Sequence, residues 1–325
     1  MLDSACKLRD STEMQNDPFS DILKFVHAES LVTGGFSAGG RWALRFPAPE
    51  KIKFFAVLKG QCWVQFDDDT RPILFSTGDV GLLSAKRAFV LSSEPGVEPV
   101  DAMSVFFGAG KPHAPIGEGD DFAHIGGHVL LNPTSGRLLT HILPPWIHVP
   151  AASPQAASFR WLLDQLVQER RTTQPGSQLA SSQLAQLLFI QILRAHLQTC
   201  DALPASWLRA LGDARLAPAL QLMHGDPARN WHLEELAKAC AMSRTTFAQQ
   251  FRTAAGVTPV AYLTQWRMRL AERALREESD QVAVVAQSLG YTSESAFSHA
   301  FKRETGMSPK AWRLAERSMG QKAPP

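Results

Sequence analysis

A repeat at an offset of 50 residues constrains the fold of this chain more than any other feature of its sequence. The two copies share residues in the same order, pairing Ser243 with Ser293, Phe247 with Phe297, Phe251 with Phe301, Gly256 with Gly306, and Pro259 with Pro309. A period near 50 residues is typical of propeller blades, but only two copies exist and both have helical spacing. The chain therefore contains one small helical unit twice.

Each copy has the pattern of a helix-turn-helix unit. The serine is a good N-cap residue, the phenylalanines lie one helical turn apart, and the glycine suits the left-handed position that ends a helix. Apolar spacing predicts a shorter helix upstream of each copy, over 233–240 and 281–289, joined to the next helix by a tight turn. One long helix is predicted over 260–277, between the two units.

These residues resemble the AraC/XylS transcription regulators over about residues 215–317. The second unit, residues 286–303 followed by Gly306 and Ser308-Pro309, is similar to the signature segment of that family. The resemblance implies sequence-specific binding to double-stranded promoter DNA and regulation of transcription, as an activator or a repressor, with RNA polymerase as a partner. The first unit departs from the pattern because its turn, Ala241-Met242, has no glycine.

The second helix of each unit is the one that we expect to meet DNA, because that helix enters the major groove in this motif. We expect base contacts from the positions on or near the face opposite the phenylalanines, which are Thr245, Ala248, Gln249, Glu294, Ser295, Ser298 and His299. Glutamine can pair with adenine through two hydrogen bonds, and glutamate can accept from cytosine. We expect phosphate contacts from the cations Arg244, Arg252, Lys302 and Arg303. A solvated helix face is the alternative for each of them.

The distribution of charge favours an anionic partner for the last third of the chain. Residues 205–325 carry 16 Lys and Arg against 11 Asp and Glu, whereas residues 1–204 carry 17 against 20. The net charge of +2 is therefore the sum of +5 for residues 205–325 and −3 for residues 1–204. By itself this signal is weak, because many solvated helical domains are mildly basic.

The first half of the chain has the pattern of an all-β domain. Turns rich in Gly, Pro and Asp separate short apolar segments, which predict strands over 41–46, 52–58, 61–66, 72–75, 80–83, 88–91, 102–107 and 127–131. Residues 78–89, beginning Gly78-Asp79, resemble the second motif of the cupins. A proline near Ser84 and a metal-binding histidine near Phe89 are usual in that motif, and neither is present here.

The second resemblance covers about residues 20–150 and implies the cupin-type sensor domain of AraC-like regulators, without a metal centre or other cofactor. The predicted fold class is α+β, with an N-terminal all-β cupin-like barrel, a helical linker and a C-terminal all-α domain that holds two helix-turn-helix units. The predicted boundaries are a disordered lead over 1–20, a ligand-sensing domain over 21–150, a helical linker or dimerisation segment over 155–200 and a DNA-binding domain over 205–320.

A small-molecule effector is expected inside the barrel. The candidates for lining its pocket are Trp42, Cys62, Trp63 and Phe89, with ordinary core packing as the alternative. We interpret the five histidines of this region as surface or core residues rather than metal ligands, and they are His113, His124, His128, His141 and His148.

Two amphipathic helices are predicted after the proline-rich stretch at 143–154, over 156–171 and 178–198. Their apolar faces either cover the β domain or form the interface of a homodimer, and both can hold. The chain has no apolar run long enough for a membrane span, and its first residues have no secretory signal, so a cytoplasmic location is expected.

The leading hypothesis is a ligand-responsive DNA-binding regulator that is not an enzyme. A cupin enzyme fused to a DNA-binding module is one alternative, and it requires three or more converging metal ligands. A regulator that senses oxidants through Cys62 or another of the four cysteines is a second alternative.

Overall fold

A computed structural model of the chain describes residues 17–67, 71–107, 113–171, 174–199, 203–277 and 281–320. The chain forms two compact units. One holds Val26–Ala202, and the other holds the region from Leu203 together with the N-terminal helix α1 (Pro18–Phe25).

The first unit is built on two β-sheets. Its strands are β1 (Glu29–Gly39), β2 (Ala43–Phe46), β3 (Ile52–Lys59), β4 (Gln61–Phe66), β5 (Ile73–Ser76), β6 (Val80–Leu83), β7 (Phe89–Ser92), β8 (Val100–Asp101), β9 (His113–Gly117), β10 (Phe122–Leu130) and β11 (Trp146–Val149). One sheet has the order β11-β6-β3-β10-β1-β9 and the other the order β5-β4-β7-β2-β8. Neighbouring strands are antiparallel, except that β9 runs parallel to β1 and β8 parallel to β2.

Alternation along the strands places the core between the two sheets. In β4 the side chains of Cys62, Val64 and Phe66 are buried while Gln61 and Gln65 are exposed, as a period of two requires. Residues of both sheets meet in one apolar cluster, which confirms the predicted β-rich domain.

The turn between β5 and β6 carries the cupin-like motif, and its aspartate organises the local structure. Asp79 is buried and accepts hydrogen bonds from the backbone of Ser76 at 3.0 Å and Ala151 at 2.7 Å. Its carboxylate also lies 3.0 Å from Nε2 of His148. The motif therefore ties the turn to β11 and the residues that follow it.

Residues 102–107 form a helix, so the predicted strand at this position is wrong. Helix α2 (Ala102–Phe107) begins where the carboxylate of Asp101 accepts from the backbone N–H of Met103 at 3.1 Å. Ala102 is buried and Met103 is exposed. A short apolar run fits a helix as well as a strand, and the capping aspartate decides between them.

Strand β1 is a second element that the sequence patterns missed. Its glycines interrupt the apolar alternation, and Gly35 is required by close packing because a Cβ there would lie 2.2 Å from the carbonyl oxygen of His124. The paired backbones of β1 and β10 leave no room for a side chain at this point.

Of the linker helices, α5 (Ser177–Thr199) packs on the sheet that contains β1, and α4 (Ala156–Arg171) packs on α5. Both follow the short helix α3 (Arg137–Thr140). Ser30 on β1 donates to the side-chain oxygen of Gln186 on α5 at 2.9 Å, and Leu188 and Ile192 of α5 are fully buried. Large apolar side chains remain exposed on the two helices, at Trp161, Leu179 and Leu187.

The second unit is helical and has two separate cores. Its helices are α6 (Trp207–Gly212), α7 (Ala217–Gly225), α8 (Leu233–Ala239), α9 (Arg244–Ala255), α10 (Pro259–Glu277), α11 (Val282–Ser288), α12 (Glu294–Thr305) and α13 (Pro309–Gly320). Helix α10 contributes Tyr262 and Leu263 to the first core and Met268, Ala271 and Leu275 to the second.

Helix α1 packs against other helices of this same unit. Residues 18–20, predicted as part of a disordered lead, form the first turn of α1 instead, and the carboxylate of Asp17 caps it by accepting from the N–H of Phe19 at 3.1 Å. The ring of Phe25 lies 6.0 Å from that of Trp266, and the carboxylate of Asp21 lies 3.4 Å from Nδ1 of His224. Residues 1–16 of the lead lie outside the described residues.

In the part of the chain that the structure describes, no helix combines the length and apolarity that crossing a bilayer requires.

Candidate nucleic-acid interface and effector cavity

The two helix-turn-helix units have the same hydrogen bonds at the ends of their second helices. Ser243 accepts from the N–H of Thr246 at 3.2 Å, and Ser293 accepts from that of Ala296 at 3.2 Å. At the other ends, Gly256 has φ +76° and Gly306 has φ +80°, and each donates to a carbonyl at 2.9 Å. The repeat in the sequence is thus a repeat in backbone geometry.

The turns of the two units also match, although their residues differ. Ala241 has φ +53° and Gly290 has φ +80°. The N–H of the following residue, Met242 or Tyr291, donates at 3.0 Å to the helix before it in both units. An alanine therefore takes the left-handed conformation that glycine adopts more easily.

The residues that we expect to contact bases lie on the open sides of α9 and α12. Exposed side chains are found at Thr245, Gln249, Glu294, Ser295 and His299, and half-buried ones at Ala248 and Ser298. The phenylalanines of both helices are fully buried on the opposite faces. Each second helix thus presents a polar ridge to solvent.

The four cations that we expect to contact phosphate are all exposed. Arg244 lies in the first turn of α9 and Arg252 in its last turn, and Lys302 and Arg303 lie in the last turn of α12. Arg303 Nε lies 3.4 Å from the carboxylate of Glu304, a weak surface contact.

Two arginines beside α9 were not among the predicted phosphate-contacting cations, because they lie in α6 and in the turn after it rather than in a helix-turn-helix unit. Arg209 and Arg215 line a polar recess together with Gln249 and Thr253. Arg215 is held by Asp213 through two side-chain hydrogen bonds of 2.9 and 2.7 Å. These bonds hold the pKa of the Asp213 carboxyl below its ordinary value.

Arg267 of α10 joins the two helix-turn-helix units. Its guanidinium donates to the carbonyl oxygens of Pro227 at 2.5 Å, Ala228 at 3.2 Å and Arg229 at 2.8 Å. These three residues lie in the loop before α8, the first helix of the first helix-turn-helix unit. It also lies 5.8 Å from the ring centre of Tyr291, in the turn of the second unit. No sequence pattern distinguished this arginine from the others along α10.

A cavity of about 320 Å³ opens inside the β domain, and its wall is mostly apolar. This volume is at the lower end of the range found for small-molecule sites. The lining side chains include Phe36, Phe46, Phe55, Phe66, Phe89, Leu91, Met103 and Phe106. Two of these residues, Met103 and Phe106, belong to helix α2, the segment that was predicted as a strand.

Of the four residues that we expected to line a pocket, the structure places only Phe89 in the cavity wall. Trp42 and Cys62 are buried in the surrounding core. Trp63 lies on the other face of β4, because alternation separates it from its buried neighbours. Lys53 also lines the cavity, and it was not among the predicted pocket residues because it lies within the apolar segment 52–58.

Cys62 has the environment of an inert thiol. Burial and, to a smaller extent, the charge of Asp79 together raise the pKa of the thiol to about 12. Since the thiolate is the reactive form, this cysteine resists oxidation at neutral pH. Cys6 and Cys200 lie outside the described residues.

Among the residues that the structure describes, no three His, Cys, Asp or Glu side chains come together as metal ligands. His124 lines the cavity and His148 contacts Asp79. Burial lowers the pKa of His128, and the charges of Lys51 and Lys53 lower it further. The side chain of His113 lies outside the described residues.

Comparison with known proteins assigns a family to each unit. A family model described as Cupin matches residues 17–198, and one described as Helix-turn-helix domain matches residues 236–315. An AraC-like transcription regulator of Streptomyces lividans is 41% identical over 297 residues, covering 91% of this chain and 98% of the relative. The transcriptional regulator AlkR of Acinetobacter baylyi is 31% identical over 308 residues, covering 91% of this chain and 99% of AlkR.

Among solved structures, the DNA-binding domain of AdpA, a global transcriptional factor crystallised with a target DNA, is 31% identical. The match covers 34% of this chain and 98% of that domain, with a TM-score of 0.32.

Proposed function

Because this chain belongs to the AraC family of transcription regulators, with a cupin-like ligand-binding domain ahead of its helix-turn-helix DNA-binding domain, we propose how it reads its promoter. Helices α9 and α12 enter successive major grooves on one side of the duplex. An effector bound in the cavity between the sheets adjusts that binding.

The duplicated capping of α9 and α12 carries this proposal. Each helix begins at a serine cap, buries its phenylalanines and exposes the polar ridge described above. The connecting helix α10 has 19 residues, a length of about 28 Å at 1.5 Å per residue. Successive major grooves are about 34 Å apart, so a small bend of the DNA brings both units into contact.

Base readout would come from the exposed side chains on these ridges and from two half-buried neighbours. The exposed ones are Thr245, Gln249, Glu294, Ser295 and His299, and the half-buried ones are Ala248 and Ser298. The cations at the ends of both helices would fix the register on the backbone.

Selection of binding sites from random DNA with the full chain tests this proposal. We expect an enriched site with two conserved segments about one helical turn apart. Enrichment of a single short segment, or no sequence preference at all, would overturn it.

We also propose that two copies of the chain associate through α4 and α5, where Trp161, Leu179 and Leu187 are exposed. Such a dimer would bind paired operators more tightly through effective concentration. Sedimentation of the wild type and the Trp161→Glu variant tests it, with loss of a dimer expected for the variant. RNA polymerase is the further partner that we propose on the promoter, in the cytoplasm.

A further inference from the structure

One cationic side chain lies on the inner face of the β domain. Lys53, Phe55 and Val57 are alternate residues of β3, so they share the face that packs against the second sheet. Phe55 and Val57 belong to the core, whereas Lys53 is half-buried at the edge of the cavity. A lysine at an inward position is uncommon, because burial removes water from its ammonium group.

The ammonium group of Lys53 reaches an aromatic pair in the opposite sheet. Its nitrogen lies 5.4 Å from the ring centre of Phe46 and 5.9 Å from that of Phe89. The two rings stack, with centres 5.0 Å apart and planes 9° from parallel. These ring faces attract the cation, but they replace only part of its lost hydration.

An anionic partner for Lys53 is missing from the described part of the cavity. None of the described residues that line it is acidic, and no carboxylate of a described residue forms an ion pair with Lys53. Burial lowers the pKa of Lys53, as expected for a cation that has lost water without gaining an anion.

We propose that the effector is a small organic carboxylate with an apolar, aromatic body, whose carboxylate binds the ammonium group of Lys53. This inference rests on the proposed role of the cavity as the effector site. The phenylalanine wall takes the body by stacking and edge-to-face contacts, and the carboxylate supplies the charge that the cavity lacks. Lys53 is thus the residue that determines specificity for the acid over its neutral analogues.

Three ligands with one body and different head groups test the proposal. They are 3-phenylpropanoate, 3-phenylpropanamide and 3-phenylpropylamine, titrated calorimetrically into the full chain. We expect the carboxylate to bind at least tenfold more tightly than the amide, and the amine to bind most weakly. Equal binding of acid and amide, or no binding of the acid, would overturn the proposal.

Variants at two lysines of β3 separate the role of Lys53 from a general effect of charge. Lys53→Met should lose the preference for the acid while it still binds the amide, and Lys53→Arg should keep the preference. The matched control is Lys59→Met, because Lys59 is exposed on the same strand and pairs with Asp120 at 2.9 Å. It should behave as the wild type.

A Lys53→Met protein that keeps the preference for the acid would contradict the proposal, and circular dichroism of each variant verifies folding. Binding of the full chain to its selected DNA site is measured in parallel. If the wild-type chain shows no sequence-specific DNA binding, the proposed function is wrong. If the wild-type chain binds DNA specifically but does not prefer the acid over the amide, only this inference is wrong.

Discussion

A methyl group at Gly290 would lie 1.9 Å from the carbonyl oxygen of Ala228. The turn of the second helix-turn-helix unit is therefore packed directly on a loop of the first. The same loop offers its carbonyls to Arg267, so backbone contact and guanidinium hydrogen bonds fix the relative position of the two units together.

We predict opposite effects for substitutions in the two turns. Gly290→Ala should destabilise the helical unit by about 2 kcal/mol or more, since it adds a backbone clash to the cost of a left-handed alanine. Ala241→Gly should stabilise it by about 1 kcal/mol, because it removes that cost where φ is already +53°. Calorimetric unfolding of the full chain measures both, and a stabilising Gly290→Ala would contradict the packing.

Removal of Arg267 should weaken binding to a complete operator more than binding to half of one. A compact lysine ammonium group cannot reproduce the planar fork with which Nε and one NH2 group of Arg267 reach the carbonyls of residues 227–229. Arg267→Lys should therefore lower affinity for the two-segment site about tenfold, or about 1.4 kcal/mol. Affinity for DNA that carries only the first segment should be unchanged. Fluorescence anisotropy with both DNAs checks this.

The matched control for Arg267 is Gln265→Ala, an exposed position on the same helix. Equal losses on both DNAs would mean that Arg267 stabilises the fold rather than the spacing of the two units.

Gln249→Ala should relax the preference for a base more than it lowers overall affinity. Its exposed amide lies in the middle of the α9 ridge, and one bidentate pair with a base is worth about 1–3 kcal/mol. Repeated site selection with the variant would reveal lower information at one position. A uniform loss on all DNA sequences would contradict the assignment.

Lys302→Ala should weaken binding evenly across DNA sequences. Loss of one phosphate contact should reduce the slope of log affinity against log salt by about 1. Titrations at several salt concentrations measure the slope, and Lys310→Ala, which removes an exposed lysine from α13, serves as the comparison. An altered base preference would show that Lys302 reads sequence instead.

Cys62 should resist alkylation in the folded protein at pH 9, where an ordinary thiol of pKa 9.0 is half ionised. Its pKa of about 12 keeps it protonated, and burial blocks the reagent. The unfolded chain loses this proton first, so the folded state should lose stability as the pH rises from about 9 towards 12.

Iodoacetamide treatment followed by mass spectrometry tests the thiol, with the urea-unfolded chain as the positive control. Oxidant-dependent DNA binding that disappears in Cys62→Ser would favour the redox-sensor alternative.

Most of the helices and strands could be predicted from local sequence patterns. The bounds of β4, β6 and α4 agree with the predicted segments, because alternation, turns and helical spacing are local properties. The polar ridges of α9 and α12 followed from the buried phenylalanines in the same way.

What local patterns could not predict depends on contacts between distant residues. Gly35 of β1 is explained by the backbone of β10, which leaves no room for a side chain there. The environment of Lys53 depends on aromatic rings of the opposite sheet. Helix α1 is similar: Asp17 and Pro18 indicate where a helix begins, but nothing near them indicates that it packs beside Trp266.

Each helix-turn-helix unit has its own core, with α10 running through both. The buried apolar residues of the two units thus belong to separate clusters. In the binding mode that we propose, mutation could therefore retune recognition of one DNA segment while the other helix-turn-helix unit continues to hold the protein on its target site.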